Sequence, residues 1–226
     1  MITGPIIAEI AALVGDPARA TMMASLLDGR ARTAGALARA ARITPQTAST
    51  HLAKLTGAGL LAMTQAGRHR HFRLASPAVG DMVDGIVAVA LLKRPRRRPL
   101  SRQARALEEA RICYGHLAGR LGVALTDAFV GREYLALHGE GAEVTAAGVR
   151  AFTALGIELP RARPARRRVA RLCLDWTERR PHVAGPIAAA MTRRYFELGW
   201  IDRVKDSQAV GVTPAGQRGF LQAFGV

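Results

Sequence analysis

The stretch from Thr33 to Leu74 reads TAGALARAARITPQTASTHLAKLTGAGLLAMTQAGRHRHFRL and contains two helical patterns followed by two strand patterns. The first helical pattern begins at Thr33 and places Leu37 and Ala41 one turn apart. The second begins at Thr44, a favourable N-cap residue, and has a proline at its first helical position. The segment therefore predicts two consecutive helices and a hairpin.

The second helix has one apolar and one polar face. Its apolar residues recur at helical spacing and are expected in the core: Ala48, Leu52 and Leu55. Its other face carries short hydrogen-bonding side chains and a lysine: Thr44, Gln46, Thr47, Ser49, Thr50, His51 and Lys54. Such a face suits the donor and acceptor pattern of the DNA major groove, so it predicts contacts with base edges.

A basic hairpin follows this helix. Gly57 and Gly59 end the helix, Leu60–Thr64 and His69–Leu74 have strand patterns, and Gln65-Ala66-Gly67 is the expected turn. The tip and return strand are rich in cationic side chains, with Arg68, His69, Arg70 and Arg73 as candidate contacts to the DNA backbone or minor groove. Helices and hairpin in this order predict a winged helix.

Several motifs carry a family resemblance: Asp16-Pro17-x-Arg19, Leu37-Ala38, Ser49-x-His51-Leu52-x-x-Leu55, Gly59-Leu60-Leu61 and Gly67-Arg68. Over residues 8–92 the chain resembles the ArsR family of bacterial winged-helix repressors. The resemblance implies a homodimer joined by flanking helices near residues 6–14 and 76–92, with recognition helices about one DNA turn apart. The apolar residues between Val79 and Leu91 are equally compatible with packing inside one monomer.

The chain departs from the metal-sensing members of that family. Residues 32–36 lack the Cys-x-Cys pair of arsenic sensors, and the recognition helix has no cysteine. The dimer helix that the resemblance implies contains Asp81 and Asp84 but no histidine. The resemblance thus implies no metal site in the DNA-binding domain, and any sensor is expected elsewhere.

The charge balance points to a polyanionic partner. The 226 residues carry a formal net charge of +16, and 49% of them are hydrophobic, as in globular proteins. A GC-rich genome would also enrich arginine, but it does not explain the clustered runs at residues 93–99 and 161–168. We expect a cytoplasmic protein without a membrane association, because the sequence has neither a signal pattern nor a long apolar segment.

The expected fold class is mainly α with small β-hairpins. Residues 1–92 are assigned to DNA binding and dimerisation, 93–108 to a basic linker, and 109–226 to an α-rich effector or oligomerisation domain.

The last domain contains an internal repeat. Ala110-Arg111-Ile112-Cys113-Tyr114 matches Ala170-Arg171-Leu172-Cys173-Leu174, and further matches follow in the same order, including Phe129 with Tyr195 and Phe152 with Phe220. We interpret it as a duplication with halves 109–157 and 169–226, each expected to form helix, helix, hairpin and helix.

The repeat pairs the chain's two cysteines, Cys113 and Cys173, and also pairs His116 with His182. If the halves pack about a pseudo-twofold axis, these side chains converge. They would then offer ligands for zinc or a heavier thiophilic ion, or form a reversible disulfide. Ordinary core positions are the other interpretation, because both cysteines have apolar neighbours.

A short insertion, residues 175–180, adjoins Cys173. Its Trp176 is a candidate lining residue for an organic-effector pocket, or else the anchor of a surface loop. The sequence contains no recognisable catalytic motif, so we do not expect an enzyme. The prediction is a homodimeric, effector-responsive repressor that binds an operator in double-stranded DNA. The alternatives are an architectural DNA-binding protein and a C-terminal domain with a purely structural role.

Overall fold

The computed structural model describes residues 4–92, 101–138, 141–159, 169–205 and 207–226. The chain divides into two compact units, an N-terminal unit of residues 1–86 and a C-terminal unit of residues 87–226. The basic runs at residues 93–99 and 161–168 lie outside the described residues. No helix in the described part of the chain is both long and apolar enough to span a bilayer.

The N-terminal unit is a helical domain with a small antiparallel sheet. Its elements are α1 (Gly4–Val14), α2 (Pro17–Ser25), β1 (Arg32–Thr33), α3 (Ala34–Ala41), α4 (Pro45–Gly57), β2 (Leu61–Ala66), β3 (His69–Leu74) and α5 (Pro77–Leu92), the last of which runs past the unit boundary. The strand order is β1-β3-β2. Thr33 and Thr44 cap α3 and α4 as predicted.

Two details of this unit differ from the sequence expectation. The hairpin turn is at Gly67 and Arg68, because Gln65 and Ala66 continue the strand ladder. Strand β1 has only two residues and was not predicted, since so short a strand leaves no alternating pattern.

The C-terminal unit combines helices with short strands. Its elements are α6 (Arg102–Glu109), β4 (Arg111–Cys113), β5 (His116–Ala118), α7 (Gly119–Gly131), β6 (Leu135–His138), β7 (Gly141–Val144), α8 (Ala146–Ala154), β8 (Val169–Leu174), β9 (Pro181–Ala184), α9 (Gly185–Glu197), β10 (Ile201–Arg203), β11 (Val210–Val212) and α10 (Pro214–Phe224). The order strand, strand, helix, strand, strand, helix therefore occurs twice, from β4 to α8 and from β8 to α10.

Strand pairing links the two halves. Hairpin β6–β7 joins hairpin β8–β9 in one antiparallel sheet of order β6-β7-β8-β9. Hairpin β10–β11 approaches β4 in a similar way, because the Val210 amide donates to the Ala110 carbonyl at 3.0 Å and the Ile112 amide donates to the Gln208 carbonyl at 2.9 Å. The second hairpin of each half thus meets the first hairpin of the other.

The structure corrects two sequence assignments in this region. The helices expected at the start of each half are the hairpins β4–β5 and β8–β9. Short apolar runs of this kind fit a buried strand as well as a helix, so periodicity could not decide between them. Residues 102–108, assigned to the linker, belong to helix α6, which Ser101 caps by accepting a hydrogen bond from the Ala104 amide.

Matching aromatic contacts form the core of the C-terminal unit. Phe129 packs edge to face against Phe152, with the ring centres 5.2 Å apart. Their sequence counterparts Tyr195 and Phe220 pack in the same way, with the ring centres 5.0 Å apart. Phe224 contacts both Phe129 and Tyr195. Edge-to-face contacts between aromatic rings stabilise the core in addition to the stabilisation from the apolar area that the rings bury. The same aromatic contact thus occurs in both halves of the C-terminal unit.

Candidate nucleic-acid interface and ion site

Helix α4 is fixed to the N-terminal unit by one face. Ala48, Leu52 and Leu55 are buried, and the Thr44 hydroxyl accepts a hydrogen bond from the Thr47 amide at the helix start. The buried apolar residues fix which face of the helix is turned toward the core, and the capping hydrogen bond stabilises its first turn. The opposite face is consequently presented to solvent.

That exposed face contains most of the predicted base-contacting residues. The exposed residues of this set are Thr44, Gln46, Thr47, Ser49, Thr50 and Lys54. The hydroxyls of Ser49 and Thr50 donate to backbone carbonyls one turn earlier, at 3.0 and 3.4 Å. Both oxygens can still accept hydrogen bonds, as can the Gln46 amide, which can donate as well.

His51 differs from the other predicted residues of α4. It is half-buried, and its Nδ1 lies 3.3 Å from the Arg19 guanidinium. Arg19 also donates to the carbonyls of Leu13 and Ala12 at the end of α1. In the sequence Arg19 stands out only as part of a motif, and its role as a bridge between α1 and α4 was not predicted. No local pattern signals such a contact across 32 positions.

The hairpin β2–β3 presents cationic side chains. Phe72 and Leu74 are buried, and strand alternation leaves Arg73 exposed between them. The other predicted wing residues, Arg68, His69 and Arg70, are also exposed. Gly67 has φ +57°, a conformation that glycine adopts without strain. A polar helix face and a basic hairpin thus occur in one compact unit.

In the C-terminal unit the two cysteines and two histidines converge. Cys113 is the cross-strand partner of His116 in β4–β5, and Cys173 is the partner of His182 in β8–β9. This register explains the unequal sequence spacings, because residues 175–180 lengthen only the second hairpin. Neighbouring side chains on paired strands are close enough to share a ligand.

The geometry of this cluster is compact and mostly buried. One candidate ligand atom from each of the four residues lies within 4.8 Å of all the others. The two Nε2 atoms of His116 and His182 are 3.1 Å apart, and neither cysteine is in a disulfide. Cys113 and both histidines are buried, whereas Cys173 is partly exposed. Two sulfur and two imidazole ligands match a four-coordinate zinc site.

The surroundings favour a thiolate at Cys173. Hydrogen bonding from Cys113, together with the two imidazoles, lowers the pKa of Cys173 well below its ordinary value against the opposing effect of burial. A thiolate is the form of cysteine that binds metal ions. These four residues therefore have the ligand chemistry of a metal site.

A buried ion pair adjoins the cluster. Arg111 and Asp175 are both fully buried, with Nη2 and Oδ2 2.9 Å apart. Burial opposes ionisation of Asp175, but the Arg111 charge and hydrogen bonds from Thr177, Glu178 and Gly119 outweigh it and lower its pKa. From the sequence, Asp175 was noted only as the first residue of the insertion and Arg111 only as part of the repeat, and their pairing was not predicted. A buried arginine has no signature in sequence, because most arginines are exposed.

The structure places Trp176 against this ion pair. The Arg111 guanidinium lies 4.1 Å from the centre of the Trp176 ring, a cation–π contact. Trp176, a candidate either for lining an organic-effector pocket or for anchoring a surface loop, thus packs over a buried cation.

Comparisons with known proteins agree with this description. Residues 14–64 match a helix-turn-helix domain family. The chain is 39% identical over 222 residues to the HTH-type transcriptional regulator YdfF of Bacillus subtilis strain 168, covering 98% of both chains.

Solved structures show shorter similarities. A homodimeric winged helix-turn-helix domain of Mycobacterium bovis, described as a possible ArsR-family regulator, is 23% identical with a TM-score of 0.36, covering 41% of this chain and 87% of that one. The cadmium sensor CMTR of Mycobacterium tuberculosis is 27% identical with a TM-score of 0.33, covering 42% and 98%.

The helix face, the basic hairpin and the domain match define a winged helix-turn-helix DNA-binding regulator. The chain belongs to the family of HTH-type transcriptional regulators that includes YdfF, a relationship that extends through both units. The resemblance stated from the sequence is thus confirmed at the level of this family.

Proposed function

We propose that this protein is a homodimeric, effector-responsive transcriptional repressor of the ArsR type. The observation that carries its DNA-binding role is the exposed polar face of α4 beside the basic hairpin β2–β3. The helix would read base edges in the major groove, and the hairpin arginines would contact phosphates or the minor groove. A repressor of this kind would leave its operator when the effector changes its conformation.

The proposed dimer uses the two flanking helices. Helix α1 has no buried residue, and Ile6 and Ile7 are more than half exposed. Ile86 and Val89 of α5 are also exposed. Large apolar residues exposed along a helix favour association, and a second copy of the chain supplies the same apolar helices. Analytical ultracentrifugation should show a dimer that Ile7→Glu together with Ile86→Glu dissociates, and a monomeric wild-type protein would contradict it.

The DNA contacts can be tested by separating base reading from backbone binding. Operator DNA is first selected from random duplexes with the full-length protein. Gln46→Ala or Thr50→Ala should cost about 1–3 kcal/mol on the selected site and little on random DNA. Arg70→Ala should weaken both about equally, and Arg150→Ala serves as a control because this exposed arginine lies on α8, outside the proposed interface.

The same experiment separates a regulator from an architectural protein. Backbone-only binding fades on all sequences as salt rises, whereas specific binding keeps its preference near physiological salt. Equal losses on selected and random DNA for both classes of variant would contradict the proposed contacts.

We infer further that the effector is a thiophilic divalent ion, zinc or a heavier ion, bound by Cys113, His116, Cys173 and His182. The convergence of these four side chains supports this inference. Metal analysis and thiol titration of protein purified under reducing conditions should give one ion per chain and two protected thiols. Chelation should then change the affinity for the selected DNA. Two reactive thiols with no ion would contradict it, and a Cys113–Cys173 disulfide without metal would favour the redox alternative.

We also infer that the C-terminal unit arose by duplication of one module. The shared element order, the matched aromatic pairs and the matched Cys–His pairs support a common ancestor of the two halves.

A further inference from the structure

The carboxylate of Asp175 lies between the ion cluster and the start of helix α7. Its Oδ2 accepts hydrogen bonds from Arg111 at 2.9 Å and from the Gly119 amide at 2.7 Å. Its Oδ1 accepts from the amide and hydroxyl of Thr177 and from the Glu178 amide, at 2.7–3.0 Å. These contacts fix the carboxylate in position and orientation.

His182 stands between this carboxylate and the other ligands. Its Nε2 faces the Nε2 of His116 at 3.1 Å, while its Nδ1 faces Asp175 Oδ2 at 3.8 Å. The Nδ1 atom is buried and has no hydrogen-bond partner within the described residues. A neutral histidine that binds an ion through Nε2 carries its proton on Nδ1, the atom that lies 3.8 Å from the Asp175 carboxylate in His182.

We propose that Asp175 is a positioning residue of the ion site, which holds His182 in the tautomer and orientation that offer Nε2 to the metal. This proposal rests on the proposed function, because it assumes that the four-residue cluster binds an ion. Asp175 touches no metal itself and acts through His182. Partners of this kind around metal-binding histidines raise ligand basicity and fix the ring.

The charges of the site select a divalent ion. Two thiolates and two neutral imidazoles around a divalent cation have no net charge. The negative charge of Asp175 is already matched by Arg111, whose guanidinium Trp176 covers. A divalent ion therefore leaves no unpaired buried charge, whereas a monovalent ion would leave one negative charge in a buried site.

The test compares Asp175→Asn with Asp202→Asn in the full-length protein, stripped of metal by chelation and reloaded with Zn²⁺ or Co²⁺. Asp202→Asn makes the same chemical change at an exposed position of β10, away from the four candidate ligands and from Asp175. Asp175→Asn should lower Zn²⁺ affinity about 10–100-fold, while Asp202→Asn should stay within about 3-fold of the wild type. The Co²⁺ spectrum of both variants should still show thiolate coordination.

A second measurement needs no variant. In the Zn²⁺-loaded wild-type protein, side-chain ¹⁵N spectra should show His182 protonated at Nδ1 and bound to the ion through Nε2. Binding through Nδ1 would overturn the positioning role even if Asp175→Asn fails to fold, and so would equal losses of affinity in the two variants.

These experiments also distinguish the role of Asp175 from the proposed ion effector on which it rests. A wild-type protein that binds neither Zn²⁺ nor Co²⁺ overturns both the ion effector and the role of Asp175. A wild-type protein that binds through all four ligands, with unchanged affinity in Asp175→Asn, overturns only the role of Asp175.

Discussion

Hairpins β4–β5 and β8–β9 present the same Cys–His pair but turn in different ways. The first turns through Tyr114 and Gly115, whereas the second turns through residues 175–180. The longer turn brings Asp175 into the interior, where it pairs with Arg111 of the first hairpin. The Cys–His pairs therefore occupy matching positions in the two hairpins, whereas Asp175 of the neighbouring ion pair lies in the longer turn of the second hairpin.

The equivalent arginines show the consequence of this asymmetry. Arg111 and Arg171 occupy the same place in the repeat, but Arg111 is fully buried and Arg171 is exposed. A buried guanidinium requires a compensating charge, which Asp175 supplies. The difference shows that equal sequence positions acquire different roles when only one half carries an insertion.

The largest expected effect comes from the two arginines. Arg111→Met leaves Asp175 buried without its cation, so the free energy of unfolding should fall by about 3–5 kcal/mol. Arg171→Met should change it by less than about 1 kcal/mol, because the position is exposed. Both tryptophans, Trp176 and Trp200, lie in the C-terminal unit, so denaturant unfolding followed by tryptophan fluorescence reports on this unit. Similar losses in the two variants would show that burial does not distinguish these positions.

The ligands should respond symmetrically. Structural zinc binding is worth about 10–16 kcal/mol in total, so removal of one of four ligands should weaken Zn²⁺ binding by about 3 kcal/mol, or roughly 100-fold. Cys113→Ser and Cys173→Ser should therefore show comparable losses in competition with a chromophoric chelator. Ser207→Ala, in the same unit but outside the cluster, is the control. A loss confined to one cysteine would mean that the halves do not share the ion.

The aromatic core offers a smaller test of the same comparison. The Tyr195 hydroxyl is buried without a hydrogen-bond partner in the described part of the chain, and Phe129 occupies the equivalent place. Tyr195→Phe should raise the free energy of unfolding by about 1–2 kcal/mol, because an unsatisfied polar group is removed. Phe129→Tyr should lower it.

The same residue predicts a dependence on alkaline pH. Burial raises the pKa of Tyr195, so above about pH 10 the unfolded chain ionises while the folded chain does not. The free energy of unfolding of the wild-type protein should therefore fall as pH rises, and Tyr195 should account for up to about 1.4 kcal/mol of this fall per pH unit. Tyr195→Phe should show a smaller alkaline decline than the wild type, and identical pH profiles would contradict the assignment.

The smallest effect is expected at the helix caps. Thr145 and Thr213 each accept a hydrogen bond from a glycine amide, Gly148 or Gly216, at 3.0 and 2.9 Å. Replacing either threonine by alanine should cost about 1 kcal/mol, and the two costs should agree. Thermal unfolding measures both. Costs that differ by more than about 1 kcal/mol would show that the two caps are not equivalent in the folded unit.

Local sequence determined the N-terminal unit. A threonine cap, a following proline and helical spacing of Ala48, Leu52 and Leu55 predicted α4 and its exposed face, because caps and amphipathic faces involve residues only a few positions apart. The hairpin was also predicted, with an error of one or two residues at its turn. The repeat likewise singled out the two cysteines and two histidines without any knowledge of the fold.

Tertiary structure decided everything that depends on contacts between distant positions. Strands β4 and β8 were expected to be helices, since segments of only three and six residues are too short to show whether their period is that of a helix or of a strand. Convergence of the four ligands required pairing within two hairpins whose histidines are separated by 66 positions. The residues Arg111 and Asp175 are 64 positions apart in the sequence. They pair because an unpaired charge in the interior is strongly destabilising, and only the folded chain brings the two side chains together.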